Sequence, residues 1–239
     1  MADAPTLRRR ALVYAAAFVA LAVLVQATDF DRLNSFAVQH LQPIAGGKGH
    51  ATLNAIAEAV IAPGAASLAT VVVLMLSGIL WVHGRRHEAI AWPAALVGAI
   101  VIEIVCKLLI GQHRSGFWAG YGLSFDSSFP SGHMLRVILM AGAMMAVWPR
   151  LRRPLELWCS AVAVCLLVTG WHLPTDIAGG VLAGMALVCW ARWVGAPEPV
   201  RLTSSSGASS SPGAFSSPLS SSPRTAQPAP DPARTSGSR

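Results

Sequence analysis

The chain has 239 residues, of which 54% are hydrophobic and only 12% charged. A soluble domain carries about 25% charged residues, so the composition excludes an ordinary soluble enzyme and points to a membrane protein. The formal charge is +7 and 16 of the 18 basic residues are arginine. They flank apolar runs instead of gathering on one face, which argues against a nucleic-acid partner and leaves membrane topology as their role.

Six apolar runs approach the ~20 residues that cross ~30 Å of hydrocarbon. They are roughly Leu12–Gln26, Pro63–Val82, Ala89–Leu109, Ser131–Trp148, Leu155–Gly170 and Asp176–Val194. The expected fold is therefore all-α, a polytopic six-span bundle over residues 11–195. Arg8–Arg10, the first run and Val25-Gln26-Ala27 also resemble a signal peptide. Its removal would leave an odd five-span bundle, so the first run is expected to stay. Between the first and second runs, Leu33, Phe36, Ala37 and Leu41 share one helical face, as do Leu53, Ile56, Val60 and Ile61. Such faces suit helices lying in the membrane interface.

Arg8–Arg10, Arg85, Arg86, Arg150, Arg152, Arg153 and Arg192 all fall on one side if the chain weaves six times. Basic residues favour the cytoplasm. The N-terminus (residues 1–10) and the tail (196–239) are then cytoplasmic, and the other loops face outward. The tail is Ser, Pro, Gly and Ala with few large apolar residues, a composition expected to stay disordered. Cys106, Cys159, Cys165 and Cys189 lie inside apolar runs without metal-ligand or CxxC spacing, and no metal or other cofactor is expected.

Polar side chains gather at the outer ends of the runs. Lys107 ends the third, and Arg114 follows in the next loop. Pro130-Ser131-Gly132-His133 opens the fourth, and His172 and Asp176 join the fifth to the sixth. Ionisable groups at membrane depth are costly and usually serve a site. Their types suit phosphoryl transfer. Lys107 and Arg114 can neutralise a phosphate. Pro130 is shaped for a first helical turn, so Ser131, Gly132 and His133 are expected to present backbone N–H groups to an anion. Of two histidines, one can attack phosphorus and the other protonate the leaving oxygen, and Asp176 can hold the imidazole of His172. His113 has no assigned role, and Trp118, Tyr121 and Trp171 suit an aromatic belt.

The spacing of Lys107 and Arg114, then Pro130-Ser131-Gly132-His133, then His172 and Asp176 resembles the three-part signature of the type 2 phosphatidic acid phosphatase superfamily. The resemblance covers roughly residues 55–195 and implies a metal-independent phosphatase of a membrane lipid phosphate or diphosphate. It implies His172 as the nucleophile that becomes a phosphohistidine, His133 as the general acid and Asp176 as the partner of His172. Lys107, Arg114, Ser131 and Gly132 would bind phosphate. The sequence departs from the pattern twice: Ser115 stands where a proline is usual, and Leu166 where a phosphate-binding arginine is usual. Arg136, one turn beyond His133, is the candidate replacement; an ion pair with Glu103 is its competing role. Two other functions remain open. One is a non-catalytic lipid-phosphate binding protein. The other is a transporter or assembly subunit, although its ionisable groups should then be spread through the membrane depth.

Overall fold

The computed structural model describes residues 3–28, 36, 40, 51–110 and 129–196. The expected tail from residue 197 onward lies outside them, as do Leu33, Ala37, Leu41, His113, Arg114, Trp118 and Tyr121. The described residues are helical and contain no strand. The helices are α1 (Ala4–Ala27), α2 (Ala51–Ile61), α3 (Ala66–Val82), α4 (Arg86–Leu109), α5 (Gly132–Val147), α6 (Arg152–Val168) and α7 (Pro174–Val194).

Each expected span coincides with a helix. Among the described residues, α1, α4 and α7 are long and apolar enough to cross a membrane unaided. The chain is an integral membrane protein. The span expected to begin at Pro63 is set off from the preceding helix by a break at that boundary. A 3-10 turn, Ala62–Gly64, separates α2 from α3, and the two helices meet at 48°. Proline and glycine together explain the interruption, because proline has no N–H to continue the helix. Helices α5 and α6, at 16 and 17 residues, are shorter than a full span.

The centre of the bundle is α5, which packs against α3, α4, α6 and α7. Leu135, Val137, Leu139 and Ala143 are fully buried along it. Helix α7 in turn packs against α1, α4 and α5. Hydrocarbon gives little hydrophobic drive between helices, so close packing of small residues has to supply the attraction. The α5–α7 contact is built that way. A Cβ at Gly180 would lie 2.7 Å from the Ser131 carbonyl oxygen, and one at Gly184 would lie 2.8 Å from the Ile138 side chain. Gly179 makes room for the Phe129 ring, which stacks on Phe18 of α1 with centroids 5.8 Å apart.

The basic residues collect at the end of the bundle where α5 finishes. The Arg8 guanidinium lies 5.7 Å from the Trp193 ring centre. Arg85 pairs with Glu88 and donates to the Ala146 carbonyl at 2.8 Å, satisfying a helix-end oxygen. Arg136 lies at the opposite end of α5 and joins three elements. Its NH1 meets Glu103 of α4 at 2.5 Å, and its Nε donates to the Gly64 carbonyl at 3.0 Å. The break between α2 and α3 frees that carbonyl, and the buried guanidinium satisfies it. Glu103 also holds Lys107, Nζ to Oε1 at 2.6 Å.

Two stability predictions follow from these contacts. Gly180→Ala should lower the thermal stability of the detergent-purified protein by about 1–3 kcal/mol through overpacking. Gly78→Ala, where an added Cβ meets nothing, should be neutral or gain up to ~1 kcal/mol of helix propensity. Arg136→Ala should cost on the order of 3 kcal/mol, because it leaves Glu103 with one fewer counter-charge and the Gly64 carbonyl unsatisfied. Melting curves of the three variants check both expectations.

Candidate active site

The opening turn of α5 is set by Ser131. Its hydroxyl accepts the Met134 N–H at 3.3 Å, making Ser131 the N-cap. Its own N–H donates to the Asp176 carbonyl at 3.0 Å. The expectation that the Ser131 N–H faces an anion is therefore corrected. The helix begins two residues after Pro130, at Gly132, and Ser131 spends its N–H on the contact with α7. Gly132 and His133 occupy the first two helical positions. A Cβ at Gly132 would fall on a Glu103 carboxylate oxygen, so a side chain there would displace that carboxylate.

Helix α7 starts with Pro174 at its first position, as the sequence suggests. Asp176 is wholly buried. It is bonded at both ends: the carbonyl accepts from Ser131, and Oδ2 accepts the Leu173 N–H at 3.0 Å. The same Oδ2 faces His172 Nδ1 at 3.5 Å. That is an ion-pair distance, longer than a good hydrogen bond. Neither Nδ1 of His172 nor Oδ1 of Asp176 has a hydrogen-bond partner among the described residues. Catalytic hydrogen bonds often tighten only with substrate in place, so the spacing is compatible with an orienting role. The His172 N–H is tied to the Leu166 carbonyl at 3.3 Å, which fixes the turn between α6 and α7.

The two histidines come from different helix starts and meet. Their ring centroids lie 6.4 Å apart, and the His133 ring stands edge-on to Trp171 at 5.6 Å. Arg136, His172, Glu103 and Lys107 are the charged or titratable groups that act electrostatically on His133. Lys107, Ser131, Gly132, His133, Arg136, His172 and Asp176 thus share one end of the bundle. Arg114 lies outside the described residues.

Leu166 is fully buried in an apolar cluster with Met134, Val137, Val162 and Ile177. Where the related signature has a cation, this chain has hydrocarbon. Of the two roles expected for Arg136, the ion pair with Glu103 is the one present. The sequence reading missed the Gly64 carbonyl and the glycines that seat α7 on α5. The Gly180–Gly184 spacing, small residues four apart, was the available signal for the latter. No group of three or more His, Cys, Asp or Glu side chains suited to a metal exists among the described residues.

Comparison with known proteins bears on the fold. No curated protein matches the chain in sequence. Among solved structures, the chain resembles the first transmembrane PAP2-type phosphatidylglycerolphosphate phosphatase from Bacillus subtilis. The TM-score is 0.60 at 18% identity, covering 77% of this chain and 94% of that one. At that identity the likeness is one of fold. The family model of the PAP2 superfamily matches residues 94–198, a stretch that holds every one of the site residues gathered above. Over those residues the chain is similar to the PAP2 superfamily.

Proposed function

We propose that the chain is a metal-independent phosphatase of a membrane lipid phosphate or diphosphate, working through a phosphohistidine at His172. The observation that carries this reading is the approach of His133 and His172, 6.4 Å between ring centroids, beside Lys107 and the start of α5. A phosphoryl group held between two imidazoles can be attacked by one and protonated on its leaving side by the other. The likeness in fold to the Bacillus subtilis phosphatidylglycerolphosphate phosphatase supports a lipid phosphate as the substrate class.

Nδ1 of His172 faces Asp176, so Nε2 is the nucleophile. Nε2 bonds to phosphorus as the bond to the lipid oxygen breaks. His133, as imidazolium, gives its proton to that oxygen. Neutral His133 then takes a proton from water, and the water oxygen displaces His172 from phosphorus. Inorganic phosphate leaves and both imidazoles are restored. Asp176 stabilises the charge on His172 and holds its tautomer. Lys107, Arg114, Arg136 and the N–H groups of the first turn of α5 at Gly132 and His133 neutralise the phosphoryl oxygens, and the Ser131 hydroxyl has its own O–H to donate.

His172→Ala should lower turnover by on the order of 10⁴-fold while melting close to the unmodified protein. Phosphate release from a panel of lipid phosphates measures the first, and acid-labile labelling should appear in the parent chain only. Full activity in the variant would remove the mechanism. The second reading, a lipid-phosphate binding protein without turnover, is favoured by one observation: Leu166 is sealed in hydrocarbon where the family signature has an arginine. Lipid-phosphate binding without phosphate release from any panel member would select it.

The topology proposed with this function has six spans, both termini in the cytoplasm and the site outward. Its support is the arginine-rich end opposite His133. A cysteine introduced near Tyr121 should react with an impermeant thiol reagent in intact cells, and one at Arg86 should not. The reverse pattern would turn the site inward.

A further inference from the structure

The phosphate-binding reading leaves one residue without a task. Glu103 carries a negative charge into the group of cations that a phosphate would need. Its Oε1 takes Lys107 Nζ at 2.6 Å and its Oε2 takes Arg136 NH1 at 2.5 Å. The carboxylate also lies directly over Gly132, the first residue of α5, so closely that a side chain there would displace it. A carboxylate is planar and a phosphate tetrahedral, but both offer anionic oxygens to the same donors. Glu103 thus occupies the place where Lys107, Arg136 and the positive end of α5 converge.

A merely structural pair would need only one cation, and Lys107 one turn away already supplies it. The second bond, to Arg136, reaches across from α4 to α5. Arg136 in turn is anchored at Nε by the Gly64 carbonyl. Its guanidinium therefore keeps a fixed position when its NH1 partner changes. The fork has further N–H donors available for another anion.

We propose that Glu103 is an internal competitor for the phosphate cradle: its carboxylate shares Lys107 and Arg136 with the phosphoryl group and so limits how tightly phosphate is held. The inference rests on the phosphate-binding role proposed above. A cradle of two cations and a helix start holds inorganic phosphate as well as it holds substrate. A carboxylate that can retake both cations weakens product retention and lets the site clear. This is binding energy withheld from the ground state.

The test uses the full-length, detergent-purified protein and orthovanadate, an inorganic phosphate analogue, with thermal shift as the binding readout. Glu103→Gln removes the charge and keeps one acceptor oxygen, enough for one of the two cations. It should lower the half-saturating vanadate concentration by about tenfold or more, as removal of a charge adjacent to a bound anion implies. Inhibition by inorganic phosphate should strengthen in parallel, with KM for the lipid substrate falling and kcat falling with it. Glu103→Asp keeps the charge but withdraws it by one methylene; it should shift vanadate binding in the same direction by a smaller factor. It also stands in if the glutamine variant fails to fold. A structural role predicts a lower melting temperature with vanadate affinity unchanged or weaker, and that result in either folded variant overturns the proposal. Absence of vanadate binding in the parent and both variants overturns it too. Vanadate binding without lipid turnover would instead defeat the hydrolase reading and leave the competition measurable.

Discussion

A single buried guanidinium organises this bundle. Arg136 is 8% exposed, one turn inside a helix of hydrocarbon-facing and core residues. A charge at that depth is tolerated only with partners arranged around it. It finds them on α4, through Glu103, and at the broken junction of α2 and α3, through the Gly64 carbonyl. Those demands fix where α5 begins relative to both neighbours. The first turn of α5 also takes hold of α7 through the Ser131 N–H and the Asp176 carbonyl. Placement of the two histidines is a by-product of satisfying these polar groups.

The site and the stabilising network are therefore difficult to separate. Asp176 illustrates this. Its backbone joins α7 to α5, its carboxylate closes the first turn of its own helix, and the same carboxylate faces His172. In water such groups could trade partners with solvent. At membrane depth they cannot, so single residues serve more than one contact. Glu103 follows the same economy, with one carboxylate serving two cations on different helices.

Much of this was legible in the sequence. Periodicity and length located the helices of the expected spans, most of them to within a few residues, because apolar runs bounded by arginine or proline admit few alternatives; α1 begins eight residues before the expected Leu12. The convergence of Lys107, His133 and His172 followed from counting crossings. The break at Ala62–Gly64 falls where Pro63 was expected to begin a span. Two features were not legible. Ser131 was expected to offer its N–H to a ligand, but its partner is a carbonyl forty-five residues away in sequence, between Ser131 and Asp176. Arg136 had two credible partners, and no one-dimensional pattern ranks an ion pair across two helices against a ligand.

The glycines of α7 have a consequence for motion. Where a Cβ would strike the Ser131 carbonyl and the Ile138 side chain, the α7 backbone lies directly against α5 with no α7 side chain between them. Packing that close resists rotation and sliding of one helix past the other. A displacement of α5 would carry the start of α7 with it, and Asp176 with that start, because the Ser131 N–H holds the Asp176 carbonyl.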